Sequence, residues 1–235
     1  MPSSVAVCLG GILRQLPYTA ESIQKYLIEP LGADLFLSGP SDGIEEWAEG
    51  LKHFTTLAET RIGYEDVSIF LRNDLKLEKL AAAAFFIEGN WIGCYDGQGS
   101  NILEREGSGL CQMYSHKLCH DMITGFEDRY DHRYERVIWS RPDFFWTAPH
   151  IPLEMLPTYP DVYRNPEFYV LDGEDHGGLN DRHWVMRRDI MPFMFSSWDR
   201  LLNGTSLEMI TRRVGGGVVG GGVDQWLDTF EENNV

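Results

Sequence analysis

Val5-Ala6-Val7-Cys8-Leu9 is an apolar run that ends abruptly at Gly10-Gly11, and this feature most narrows what the chain can become. Such a run reads as a buried strand closed by a tight turn. Thr19 stands where an N-cap would open a helix to about Ile28, with Glu21 in its first turn and Pro30 as its stop. Asp34 to Ser38 is a second short strand, ended by Gly39-Pro40. Strand, helix and strand within the first 38 residues make one βαβ unit, which requires parallel strands.

The rest of the chain is read in the same way. Helices are expected near 43–50 and 75–87, and a loop over 89–100. From Ser108 onward, Cys111, Tyr114, Leu118, Met122 and Phe126 recur at helical spacing and mark one apolar face. Val137 to Ser140 is a buried strand running into Arg141-Pro142-Asp143, and Phe168 to Leu171 is another strand. The proline-rich stretch Pro149 to Pro166 must be extended or looped. Asp189 caps a last helix over 190–202, and Val214 to Val223, with six glycines in ten residues, reads as a loop or hinge.

Composition sets the outer limits. A chain of 235 residues with 43% hydrophobic residues suits a single α/β domain spanning 1–235. No apolar run reaches the roughly 18 residues of a membrane span, and no basic leader precedes the first strand, so a cytoplasmic protein is expected. The formal charge of −16 disfavours nucleic acid as a partner. Of the four cysteines, Cys111 and Cys119 share one helix, roughly 12 Å apart along its axis, too far for a bond. All four (with Cys8 and Cys94) are expected to be reduced.

Three polar turns fall at strand ends, where open α/β sheets bind their ligands. Gly10-Gly11 admits close backbone approach, and Arg14 can reach a phosphate. Asp143 either holds Mg²⁺ or Mn²⁺ beside phosphate oxygens or simply pairs with Arg141. The turn Asp175 to Asp181 offers Asp and Asn to sugar hydroxyls, with Asp181 and then Asp175 as general base. A competing arrangement is a zinc site on His116 and His120, four apart on one helix.

Taken together, these motifs resemble a known group. The opening Val5–Arg14, the stretch Pro30–Phe36, Tyr130-Asp131 with Val137–Asp143, and Gly177-Gly178-Leu179-Asn180-Asp181 are similar to small GT-A-like glycosyltransferases of algal, viral and bacterial type, related to lipopolysaccharide-synthesis proteins. The resemblance covers about residues 5–200. It implies a GT-A-like (Rossmann-like) α/β fold, with a mainly parallel central sheet flanked by helices. It further implies a UDP- or GDP-sugar donor, a glycan or other hydroxyl acceptor, and Mn²⁺ or Mg²⁺ at an Asp-x-Asp motif. Here Arg141 replaces the first Asp, so Asp143 alone carries over as metal ligand. Gly10, Gly11, Arg14, Arg141 and Asn180 would then lie around the donor. The alternative is a non-catalytic module of the same fold that binds nucleotide sugar or glycan without turnover.

Overall fold

A computed structural model describes residues 3–41, 43–62, 109–156, 168–173 and 180–202 of the chain. Strands β1 (Val5–Gly10), β2 (Asp34–Gly39), β3 (Leu57–Ile62), β4 (Arg136–Ser140), β5 (Phe168–Val170) and β6 (His183–Arg187) form one sheet in the order β3-β2-β1-β4-β6-β5. β1 runs parallel to β2 and β4, and β2 parallel to β3. Only β6 is reversed, antiparallel to both β4 and β5. The expected mainly parallel α/β sheet flanked by helices is present. The helices are α1 (Leu16–Ile23), α2 (Glu29–Leu31), α3 (Ile44–Trp47), α4 (Gly109–Tyr130), α5 (Met191–Met194) and α6 (Ser197–Leu202).

Because strand side chains alternate between faces, β1 supplies both cores. Val5, Val7 and Leu9 join Leu35, Leu37, Ile138 and Val185 beneath Leu16, Ala20 and Ile23 of α1. Ala6 and Cys8 face the other way, with Phe36, Val137, Trp139, Trp184 and Met186, beneath Met122 and Ile123 of α4. Every residue of β1 is buried, which explains why this strand reads as an unbroken apolar run.

The first helix departs from expectation in an instructive way. It starts at Leu16 rather than after Thr19, and Pro30 does not stop it. A proline cannot donate to the carbonyl four residues earlier and its ring crowds that oxygen. The chain relieves the clash with a π-helical turn over Gln24–Ile28, where the Glu29 N–H reaches back to the Gln24 carbonyl. The Tyr26 carbonyl is left over, and it accepts the N–H of His150 at 2.6 Å from a distant loop. Thr19, inside α1 rather than capping it, donates its hydroxyl to the Pro142 carbonyl at 2.6 Å. Ser22 one turn later accepts the Trp146 N–H at 3.1 Å. α1 and the π-helical turn after it therefore hold the segment from Pro142 to His150 at three points.

Other expectations need correction. The last helix is two short ones, interrupted at Phe195 and Ser196, with Asp189 paired to Arg187 instead of capping. Cys8 and Cys119 are not reduced; they form a disulfide between β1 and α4 across 111 residues. At the end of the sheet where β1 and β4 begin, Arg188 and Glu127 make a buried ion pair, with Arg188 Nε 2.9 Å and Nη2 2.7 Å from the carboxylate oxygens. The Tyr134 N–H adds a third donor to Glu127 at 3.0 Å. The anticipated helix at 75–87, the loop at 89–100 and the glycine tract at 214–223 lie outside the described residues. Among the described residues no helix is long and apolar enough to cross a membrane.

Candidate functional site

The strand order places a reversal between β1 and β4. From β1 the chain builds outward through β2 to β3, and then returns to the opposite side of β1 as β4. Open α/β sheets bind their ligands at such a switch point. The loops here are Gly10-Gly11 and Arg141-Pro142-Asp143. The register pairs Leu9 with Ser140, so the two turns leave the sheet side by side. A side chain added at Gly11 would meet the Pro142 ring at 3.8 Å, and Gly11 itself sits at φ 120°, where glycine is favoured. Gly10 is required for a different reason. A Cβ there would stand 2.1 Å from the Trp139 indole, which lies across the end of β1.

Because β6 is reversed, the turn leading into it arrives at the same end. Arg141 N–H donates to the Arg182 carbonyl at 2.9 Å, and the Trp139 Nε1–H donates to the Asp181 carbonyl at 3.1 Å. Gly10, Gly11, Arg141, Asp143, Asn180 and Asp181 are thus brought to one end of the sheet. Arg14 is on the same loop as Gly11 and points into solvent. Asp175 lies outside the described residues.

The side chains differ in what they have left to offer. Asp143 is held by Arg141 through two hydrogen bonds of 3.0 and 2.5 Å, and the pair is about one-third exposed. Asn180 is buried and closes its own turn: its amide donates to the Gly173 carbonyl at 2.7 Å, and its side-chain oxygen accepts the Arg182 N–H at 3.0 Å. It shapes the site rather than presenting free polar atoms. The Asp181 carboxylate is half-buried and has no hydrogen bond or ion pair among the described residues. No group of three or more His, Cys, Asp or Glu side chains among the described residues could hold a metal ion. In the 141–143 turn a dication would find one carboxylate, already shared with a guanidinium. The zinc alternative fares worse, since His116 is enclosed by Trp139, Trp184 and Phe195, with its ring stacked on Phe195 at 5.1 Å.

A second feature lies on the loop that follows Asp143 and gave no signal in the sequence. His150 and His183 meet with their Nε2 atoms 3.2 Å apart. They border a cavity of about 490 Å³ lined by Phe144 to Ile151, Tyr169 to Leu171 and Val185. The two histidines are 33 residues apart, and only the antiparallel return of β6 and the pinned loop bring them together.

Burial holds His116 and His183 far below the usual 6.5, at about 3, with His150 also pressing His183 downward. Both are neutral in the folded protein at neutral pH. The unfolded chain takes up protons as pH falls below 6.5 and the folded one does not, so folding stability is lost in that direction. At pH 5 the loss is expected to be about 2 kcal/mol for each histidine. Urea midpoints measured from pH 7 to 5 check this, and His116→Phe should flatten part of the decline.

Comparison with known protein families finds no family that matches the chain, and no curated protein matches it.

Proposed function

We propose that the chain is a GT-A-like glycosyltransferase that moves a sugar from a UDP- or GDP-sugar to a hydroxyl of a glycan or other acceptor. The observation that carries this reading is the meeting of the Gly10-Gly11 and Arg141-Asp143 turns at the reversal of the sheet. Glycine backbone there can lie against a diphosphate, with Arg141 and Arg14 supplying positive charge. In a molecule of net charge −16, such local cations are what allow an anionic donor to approach. A dication suits this turn only when shared with the donor phosphates, as Mg²⁺ and Mn²⁺ commonly are, with Asp143 as its protein ligand. When bound there it would screen the negative charge that builds on the departing diphosphate. In this reading Asp181 takes the acceptor proton, with Asp175 as the second choice.

A second reading, a binding module without turnover, is favoured by the Arg141–Asp143 pair, which occupies the one acid of that turn. A thermal-shift screen of UDP- and GDP-sugars with and without Mn²⁺ separates the possibilities. A ligand at 100 times its dissociation constant stabilises by about 2.7 kcal/mol. Asp143→Ala is expected to lower sugar transfer or donor hydrolysis about 100-fold while the melting midpoint of the free protein stays within a few degrees. Binding without turnover in the parent protein would establish the module; absence of any nucleotide-sugar shift would end both readings.

A further inference from the structure

The cavity on the loop after Asp143 suits hydrocarbon and excludes charge. Phe144, Trp146, Tyr169 and Val185 are among the side chains that line it, and none of its lining residues is Asp, Glu, Lys or Arg. Burial lowers the pKa of its two histidines, His150 and His183, so neither is charged at neutral pH. An ionic group brought inside would lose its water without gaining a partner. At about 490 Å³ the cavity has the size that takes small organic ligands.

The apolar surface does not stop at the cavity. Phe145, Ile151 and Leu171 line it and are also exposed, at 66%, 48% and 40%, and Met155, next to the lining residue Leu156, is 69% exposed. Four of the nine large hydrophobic side chains exposed among the described residues thus belong to this one region. Scattered singly they would need no explanation, whereas gathered at an apolar cavity they mark a binding surface. The cavity also continues the two turns of the candidate site. Phe144 follows Asp143 directly, and His183 comes two residues after Asp181, at the start of β6. Pro142 and the cavity residue Trp146 are both held on α1, through Thr19 and Ser22, so the Asp143 turn and the cavity wall share one support. A ligand of two parts fits this layout, with a hydroxyl-bearing head toward the turns and a hydrocarbon tail against the apolar walls.

We infer that this cavity takes the hydrocarbon tail of an uncharged glycolipid, whose sugar is the acceptor of the proposed transfer. The acceptor role rests on the glycosyltransferase reading above; the seat for the tail rests on the cavity alone. Isothermal titration of the full protein with methyl, hexyl and octyl β-glucoside and with octanoate, all below their micellar concentrations, tests the seat. Each buried methylene should strengthen binding about threefold, so octyl glucoside is expected to bind about tenfold more tightly than hexyl glucoside. Octanoate should bind no more tightly than octyl glucoside. Leu171→Asp places a carboxylate on the wall at an already exposed position, and should weaken octyl glucoside about tenfold with an unchanged melting midpoint. Transfer assays with UDP- and GDP-sugars test the acceptor role: the KM for octyl glucoside should lie well below that for methyl glucoside. Affinity independent of tail length, preference for octanoate, or undiminished binding by Leu171→Asp would each overturn the seat. Equal KM values for the two glucosides would overturn the acceptor role and leave the transferase standing. Binding that rises with tail length but brings neither transfer nor donor hydrolysis would remove the transferase reading, and the acceptor role with it, and leave the seat standing.

Discussion

Replacing Glu127 by alanine is expected to destabilise the fold by about 3–5 kcal/mol, a large share of the whole stability of a domain this size. Glu127 is 3% exposed and accepts from both Nε and Nη2 of Arg188, which is 5% exposed. Removing the acid leaves a guanidinium enclosed in protein with Thr124 as a remaining neutral partner at 3.2 Å. It also removes the acceptor for the Tyr134 N–H. The cost is that of an uncompensated buried charge, not of the pair's own attraction, so the double replacement Glu127→Leu with Arg188→Met should recover most of the loss. Urea unfolding of the three proteins decides the matter: a double variant as weak as the single one would show that packing, not charge, is responsible. This end of the sheet is opposite the Gly10-Gly11 and Arg141-Asp143 turns, so the loss should be confined to stability.

Loss of the Cys8–Cys119 bond should be of similar size. A bridge that closes a loop of 111 residues restricts the unfolded chain by about 4–5 kcal/mol in the chain-entropy account. Both cysteines are fully buried, so reductant should act slowly on the native protein and quickly once it opens. The double variant Cys8→Ala with Cys119→Ala is expected to unfold at a clearly lower urea midpoint than the oxidised parent. The reduced parent should match the variant closely. Identical midpoints for oxidised and reduced protein would show that the bridge contributes nothing.

Local patterns reveal much of this architecture, and long-range pairings account for what they conceal. β1, β2 and β4 are apolar runs ended by turn residues, and α4 carries an apolar face; each is legible within ten to twenty neighbours. β6 is not. His183 to Arg187 holds only three consecutive apolar residues between an Asp-Arg turn and an Arg-Arg-Asp sequence, and its identity comes from pairing with β4, Ser140 to His183. The π-helical turn follows from Pro30, yet a proline at that place reads locally as a stop, because the loop that uses the Tyr26 carbonyl is more than a hundred residues away. The placing of the Gly10-Gly11 and Arg141-Asp143 turns at one end of the sheet was legible because each follows an apolar run that reads as a parallel strand. The His150–His183 contact and the Cys8–Cys119 bond were not, since neither histidine nor cysteine spacing records which strand lies beside which.

The bridge also changes what kind of molecule this is on paper. With residues 8 and 119 joined, the first half of the protein is a covalent circle and the second half a tail attached to it. A protease that nicks the circle once, anywhere along its length, opens a ring without releasing a fragment. On a denaturing gel such a nicked protein would migrate as a single band until thiol is added, and only then as two.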